Sequence, residues 1–142
     1  MSFNVAMIAH DEKKAALADW ACRNIERLRA CRLVATASTG GLLQETCPEL
    51  QIETVKSGPL GGDQQIGAMI AEGKIDLLVF FPDPMMPMPH DVDVKALLRL
   101  ALVYDVPCAF NPRSADLIVA SGILASRSHQ RSDRRAQSEL TR

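Results

Sequence analysis

Five short apolar runs, separated by stretches with helical spacing, set the architecture of this chain. FNVAMIA (3–9), CRLVAT (31–36), QIETV (51–55), IDLLVFF (75–81) and VPCAF (106–110) have strand length and are bounded by charged or turn residues. Between them the period changes. Leu17, Trp20, Ala21, Ile25 and Leu28 share one face of a helix expected from about Glu12 to Ala30, with Asp11 placed to cap it. ASTGGLLQET reads as a turn running into a short helix. GDQQIGAMIAEG reads as a helix from about Asp63 to Glu72, stopped by Gly73. DVDVKALLRLALVYD gives another helix with Asp91 or Asp93 near its start, and SADLIVASG a last one ended by Gly122. The segment 82–90 carries four prolines, which exclude regular structure inside it. Strand and helix alternate with short joins. The expected fold is therefore α/β: a single three-layer domain with a mostly parallel, Rossmann-like sheet and helices on both faces.

The domain is expected to span residues 1–126 of the 142. Residues 127–142, RSHQRSDRRAQSELTR, hold five arginines and two acids and read as a polar tail: a solvated end, or an arm that offers an arginine to a neighbouring subunit. Sixteen basic residues against seventeen acidic give a net charge of -1, so nucleic acid is not an expected partner. The four cysteines (Cys22, Cys31, Cys47, Cys108) have no CxxC spacing. They are expected to be buried free thiols of a reducing compartment. MSFNVAMIAHD has no basic leader and only a short apolar run. Neither signal peptide nor membrane span is expected, and a cytoplasmic location follows by elimination.

The chemistry gathers where the apolar runs end. In an open α/β sheet the carboxyl ends of the strands meet at such points and form the site. IAHDEKK places His10, Asp11, Lys13 and Lys14 after the first strand. TASTGG brings the hydroxyls of Thr36, Ser38 and Thr39 to a helix start, where exposed amides attract anions. SGPLGGDQQ adds the Ser57 hydroxyl and the Gly58 amide, then Gly61 and Gly62 before Asp63. Asp63 is expected to be accessible, either capping its helix or facing a ligand. Asp83, His90, Asp91 and Asp93 follow the fourth strand. Three donor groups at strand ends favour an anion site. GxxxxGK[ST] and GxGxxG are absent, which argues against a P-loop nucleotide or a dinucleotide. No compact metal-ligand spacing is present and lysines flank His10, so no metal is expected.

VAMIAHDEKK, ATASTGGLLQET, SGPLGGDQQIGAMIAEGKIDLLVFFPDP and PHDVDVKALLRLALVYDVPCAFNPRSADLI closely resemble the methylglyoxal synthase family over residues 4 to about 121. That resemblance implies a cofactor-free enzyme that converts dihydroxyacetone phosphate to methylglyoxal and inorganic phosphate, built as a hexamer and often inhibited by phosphate. It implies Asp63 as general base, His90 as donor to the substrate oxygens and Asp93 as a supporting carboxylate. Asp83 and His10 match further site residues. Lys14, Thr36, Ser38, Thr39, Ser57 and Gly58 match the phosphate-binding set. Relatives continue with a further strand and helix that this chain's last twenty residues do not show, leaving Arg131, Arg134 and Arg135 as candidates for an arginine reaching a neighbour's phosphate site. A regulatory domain that binds a phosphorylated metabolite without turning it over has no reason to keep Asp63, His90 and Asp93 together. An isomerase that protects the enediolate would be expected to need a lid and a larger scaffold.

Overall fold

The computed structural model describes residues 2–86 and 91–126. His90 and the arginines of the tail lie outside the described residues. Five strands, β1 (Asn4–Ala9), β2 (Arg32–Thr36), β3 (Ile52–Val55), β4 (Leu77–Phe81) and β5 (Cys108–Ala109), form one parallel sheet in the order β3-β2-β1-β4-β5. The helices are α1 (Lys14–Arg23), α2 (Ile25–Leu28), α3 (Ala37–Thr46), α4 (Gly62–Ala71), α5 (Asp91–Val103) and α6 (Pro112–Ala120). Alternation along β1 shows how the layers form. Val5, Met7 and Ala9 join a core with residues of α1, α3 and α6, whereas Ala6 and Ile8 pack with α4 and α5. Both faces of the sheet are therefore covered, and its central strands are buried throughout. After β3 the chain crosses to the other side of β1. The strand order reverses between β1 and β4, which opens a crevice at their carboxyl ends. Among the described residues no helix is long and apolar enough to cross a membrane.

Several elements depart from the sequence pattern for local reasons. The first helix is broken at Asn24, whose side-chain amide donates to the Trp20 carbonyl at 2.8 Å and competes with the helix ladder. Helix α3 starts directly after β2, with no preceding turn. Its Gly40 lies where a Cβ would come within 2.5 Å of Thr54 Cγ2, so the glycine permits close packing on β3. Helix α6 starts at Pro112, because Asn111 caps it by accepting from the Ser114 amide at 2.8 Å.

The cysteine expectation fails for one pair. Cys22 and Cys47 form a disulfide across a sequence separation of 25, joining the end of α1 to the residue that closes α3. Their Cα atoms lie 5.8 Å apart, a spacing that a disulfide spans without backbone movement. Cys31 and Cys108 remain free and half-buried. Burial raises both thiols to about 11, with the charge of Asp76 adding to the effect at Cys31.

Candidate active site

At the crevice beside β1 lies a cavity of about 270 Å³. Its wall brings together His10, Lys14, Thr36, Ser38, Gly58, Asp63 and Asp83 from four different segments, along with Asp11, Glu12, Pro59 and Met86. The volume lies just below the range of roughly 300–1,000 Å³ usual for drug-sized ligands, so it suits a small metabolite. A wider groove of about 710 Å³ opens near Arg29, Arg32, Glu49 and Glu53, toward the amino ends of β2 and β3. Ligands of open α/β sheets bind at the carboxyl ends of the strands, so the smaller cavity is the candidate site.

The segment from Lys56 to Gln65 explains the glycines before Asp63. Ser57 opens a single 3-10 turn (Gly58–Leu60), and its carbonyl accepts from the amides of Leu60 at 3.0 Å and Gly62 at 2.8 Å. Gly61 then adopts a left-handed φ of 108°, which side chains disfavour. A Cβ on Gly62 would stand 1.9 Å from the Lys56 carbonyl oxygen, so only glycine fits. The Gln65 side chain closes the segment by accepting from the Lys56 amide at 2.7 Å. Asp63 is the second residue of α4 and is only 3 % exposed, which corrects the expectation of an accessible carboxylate. Nor does it cap the helix: Gly61 holds that position and no side chain caps it. The positive end of the α4 dipole favours the ionised carboxylate at this place.

At the opposite side of the cavity, β1 extends beyond its pairing with β2. The Ala9 amide donates to Thr39 Oγ1 at 3.2 Å, and that hydroxyl donates back to the Ala9 carbonyl at 3.3 Å. The Thr36 hydroxyl donates to the same oxygen at 3.2 Å. Thr39 therefore has its hydroxyl proton and both lone pairs engaged, and its side chain does not line the cavity. It anchors α3 to β1, while Thr36 and Ser38 line the wall. No side chain caps α3. Lys14 is mostly buried and pairs with the exposed Asp11. The hydrogen bond and charge of Lys14 hold the Asp11 carboxyl below its ordinary range.

His10 sits at the strand-order reversal. Its amide donates to the Phe81 carbonyl at 3.1 Å, which continues the pairing of β1 with β4. Its ring stands edge-on to Phe80, with centroids 5.3 Å apart. Ring Nδ1 accepts from the Asp83 amide at 3.0 Å, so the proton of the neutral imidazole belongs on Nε2. Asp83 in turn accepts from the Met85 amide at 3.0 Å, tightening the turn after β4.

Of the described candidates, Ser57 and Asp93 also do not line the cavity. Ser57 contributes through its backbone, as described. Asp93 lies half-buried in the first turn of α5, and Asp91 pairs with Lys95 at 3.1 Å. Among the described residues no cluster of three or more potential ligands could hold a metal ion. Sequence reasoning missed Glu12 and Met86 as wall residues; the crowding of charge in HDEKK and the apolar pair Met85–Met86 were the available signals.

The model of the MGS-like domain family matches residues 16–110. The methylglyoxal synthase of Rhizobium rhizogenes is 57% identical over 115 residues, covering 81% of this chain and 91% of that protein. That of Oleidesulfovibrio alaskensis is 54% identical over 118 residues, covering 83% of this chain and 80% of that protein. The crystal structure of methylglyoxal synthase from Elizabethkingia anophelis NUHP1 superposes with a TM-score of 0.81 at 43% identity, covering 87% of this chain and 80% of that one.

Proposed function

The chain belongs to the methylglyoxal synthase family, and from that premise we propose how its residues divide the work of the reaction. The protein is a carbon–oxygen lyase that converts dihydroxyacetone phosphate to methylglyoxal and inorganic phosphate. Asp63 takes a proton from the hydroxyl-bearing carbon beside the ketone. The electron pair moves onto the carbonyl oxygen and forms an enediolate. The former carbonyl oxygen takes the proton of the neighbouring hydroxyl, whose electron pair forms the aldehyde and breaks the bond between carbon and the phosphate oxygen, and the proton held by Asp63 leaves with the phosphate. The enol left behind then ketonises to methylglyoxal. Carboxylates are weak bases for such protons, so donors must meet the oxygen where charge develops. His90 is assigned that role, with Asp93 supporting it. His10 donates from Nε2, and Asp83 fixes its ring through the main chain. Lys14, Thr36, Ser38, Ser57 and Gly58, with the first amides of α3, receive the departing phosphate. Thr39 serves the same end of the cavity as an anchor. Neither metal nor cofactor takes part.

One observation carries this reading. The buried Asp63 carboxylate and the cationic, hydroxyl-bearing end of the cavity share one wall, in a space sized for a small phosphorylated substrate. The test is incubation with dihydroxyacetone phosphate after exhaustive chelation, measuring methylglyoxal and phosphate together. Equal release of both is expected. Phosphate binding without methylglyoxal would instead mark a regulatory binding domain.

The same reading places the protein in the cytoplasm, because a charged triose phosphate stays where it is made. It also makes the protein a homohexamer. Leu102, Leu117 and Phe110 are exposed apolar residues that subunit contacts would cover. Arg131, Arg134 and Arg135 are the candidates to reach a neighbour's phosphate site.

A further inference from the structure

Where β3 ends, its last pairing with β2 joins Thr36 to Val55. The next amide, that of Lys56, has left the strand ladder. Its acceptor comes from the first turns of the following helix, the Gln65 side chain at 2.7 Å. Two kinds of site residue meet at this bond. On the Lys56 side are Ser57 and Gly58, assigned above to the phosphate, of which Gly58 lines the cavity. On the Gln65 side is Asp63, two residues earlier on α4, a helix held in the core by Ile66 and Ile70. Between them the chain makes its 3-10 turn and passes through Gly61 and Gly62, a segment with little side-chain packing of its own. Leu60, at its tip, is 75 % exposed.

We propose that Gln65 is a positioning residue of the lyase reaction: its clasp on the Lys56 amide sets the distance between the phosphate-holding turn and the proton-abstracting Asp63. The proposal rests on the assignment of Asp63 as base. Elimination needs the substrate held at its phosphate while one carbon-bound proton points at the carboxylate. A displacement of about 1 Å between those two holds is enough to cost as much as a hundredfold in rate. The clasp is exposed to solvent, so water replaces the lost acceptor and the global fold scarcely notices. Its loss therefore appears in turnover rather than in stability.

The experiment compares Gln65→Leu with Gln65→Glu. Leucine removes the acceptor, whereas glutamate restores one at the same reach. For Q65L, kcat is expected to fall about tenfold or more, while phosphate inhibition changes less than threefold and Tm by no more than a few degrees. Q65E is expected to keep kcat within about threefold of the parent. Q65L with parent turnover, or Q65E as impaired as Q65L, overturns the proposal. Amide hydrogen exchange in the parent supplies a check that needs no variant: the Lys56 amide should exchange more slowly than the neighbouring Gly58 amide, which takes no part in the strand ladder or in the bonds of the 3-10 turn. Unprotected exchange at Lys56 also overturns it. If the parent yields no methylglyoxal, the assignment of the reaction fails on its own, and the exchange measurement still tests the clasp.

Discussion

Burying a carboxylate removes it from water, and a protein keeps such a residue only for a return elsewhere. Asp63 is the case in point. Asp63→Asn keeps the shape and removes the basic oxygen, so kcat should fall by about a hundredfold or more. Because Asp63 does not cap α4, no cap is lost, and thermal unfolding should show a Tm within a few degrees of the parent's. Near-parent turnover in D63N would exclude it as the proton acceptor. Thr39 answers to the opposite test. Thr39→Val leaves two main-chain groups of Ala9 without their hydroxyl partner and should cost roughly 1–3 kcal/mol in denaturant unfolding. Thr39→Ser should stay close to the parent, since the hydroxyl is retained. The motif residues around both positions were legible as chemistry. What sequence could not tell is the direction of each group: Thr39 turns to β1 where that strand outruns its pairing with β2, and Asp63 turns inward after the tight turn that follows β3.

Strands and helices were legible as elements because each carries its own period. β1, β2, β3 and β4 fall within the apolar runs, and α4 ends at Ala71, with Gly73 in the left-handed conformation just past its cap. Breaks that depend on one side-chain bond, such as Asn24 to Trp20, have no periodic signal. Nor does a pairing of cysteines 25 residues apart. That disulfide holds together the far ends of α1 and α3, the two helices whose beginnings supply Lys14 and Ser38 to the cavity. In a reducing compartment it is an unusual bond. Reduction with a strong thiol should lower stability by about 2–4 kcal/mol, the usual scale for such a loop. Unfolding with and without reductant, beside a Cys22→Ala/Cys47→Ala variant, checks this. A reductant effect of equal size in the double variant would remove the bond as its cause.

At the scale of the whole molecule, alkaline pH should find the two free thiols. Their pKa in the folded state is about 11 against an ordinary value of 9.0, so the unfolded chain releases these protons first. The stabilisation they contribute is complete below pH 9 and fades as pH rises toward 11. A Cys31→Ala/Cys108→Ala variant should therefore lose less stability than the parent across that window. At neutral pH neither thiol should react quickly with alkylating reagents. The one-sided placement of the chemistry also makes the domain open to engineering. Every proposed catalytic group that is described sits at or beyond the carboxyl ends of the strands, and the turn at Pro48 and Glu49 before β3 is exposed at the other end. A short glycine–serine insert between those two residues should leave kcat within about twofold. The same insert between Leu60 and Gly61 should abolish turnover. The amino end of the sheet is thus a free port for a reporter or a fused partner, and the cavity would not register its presence.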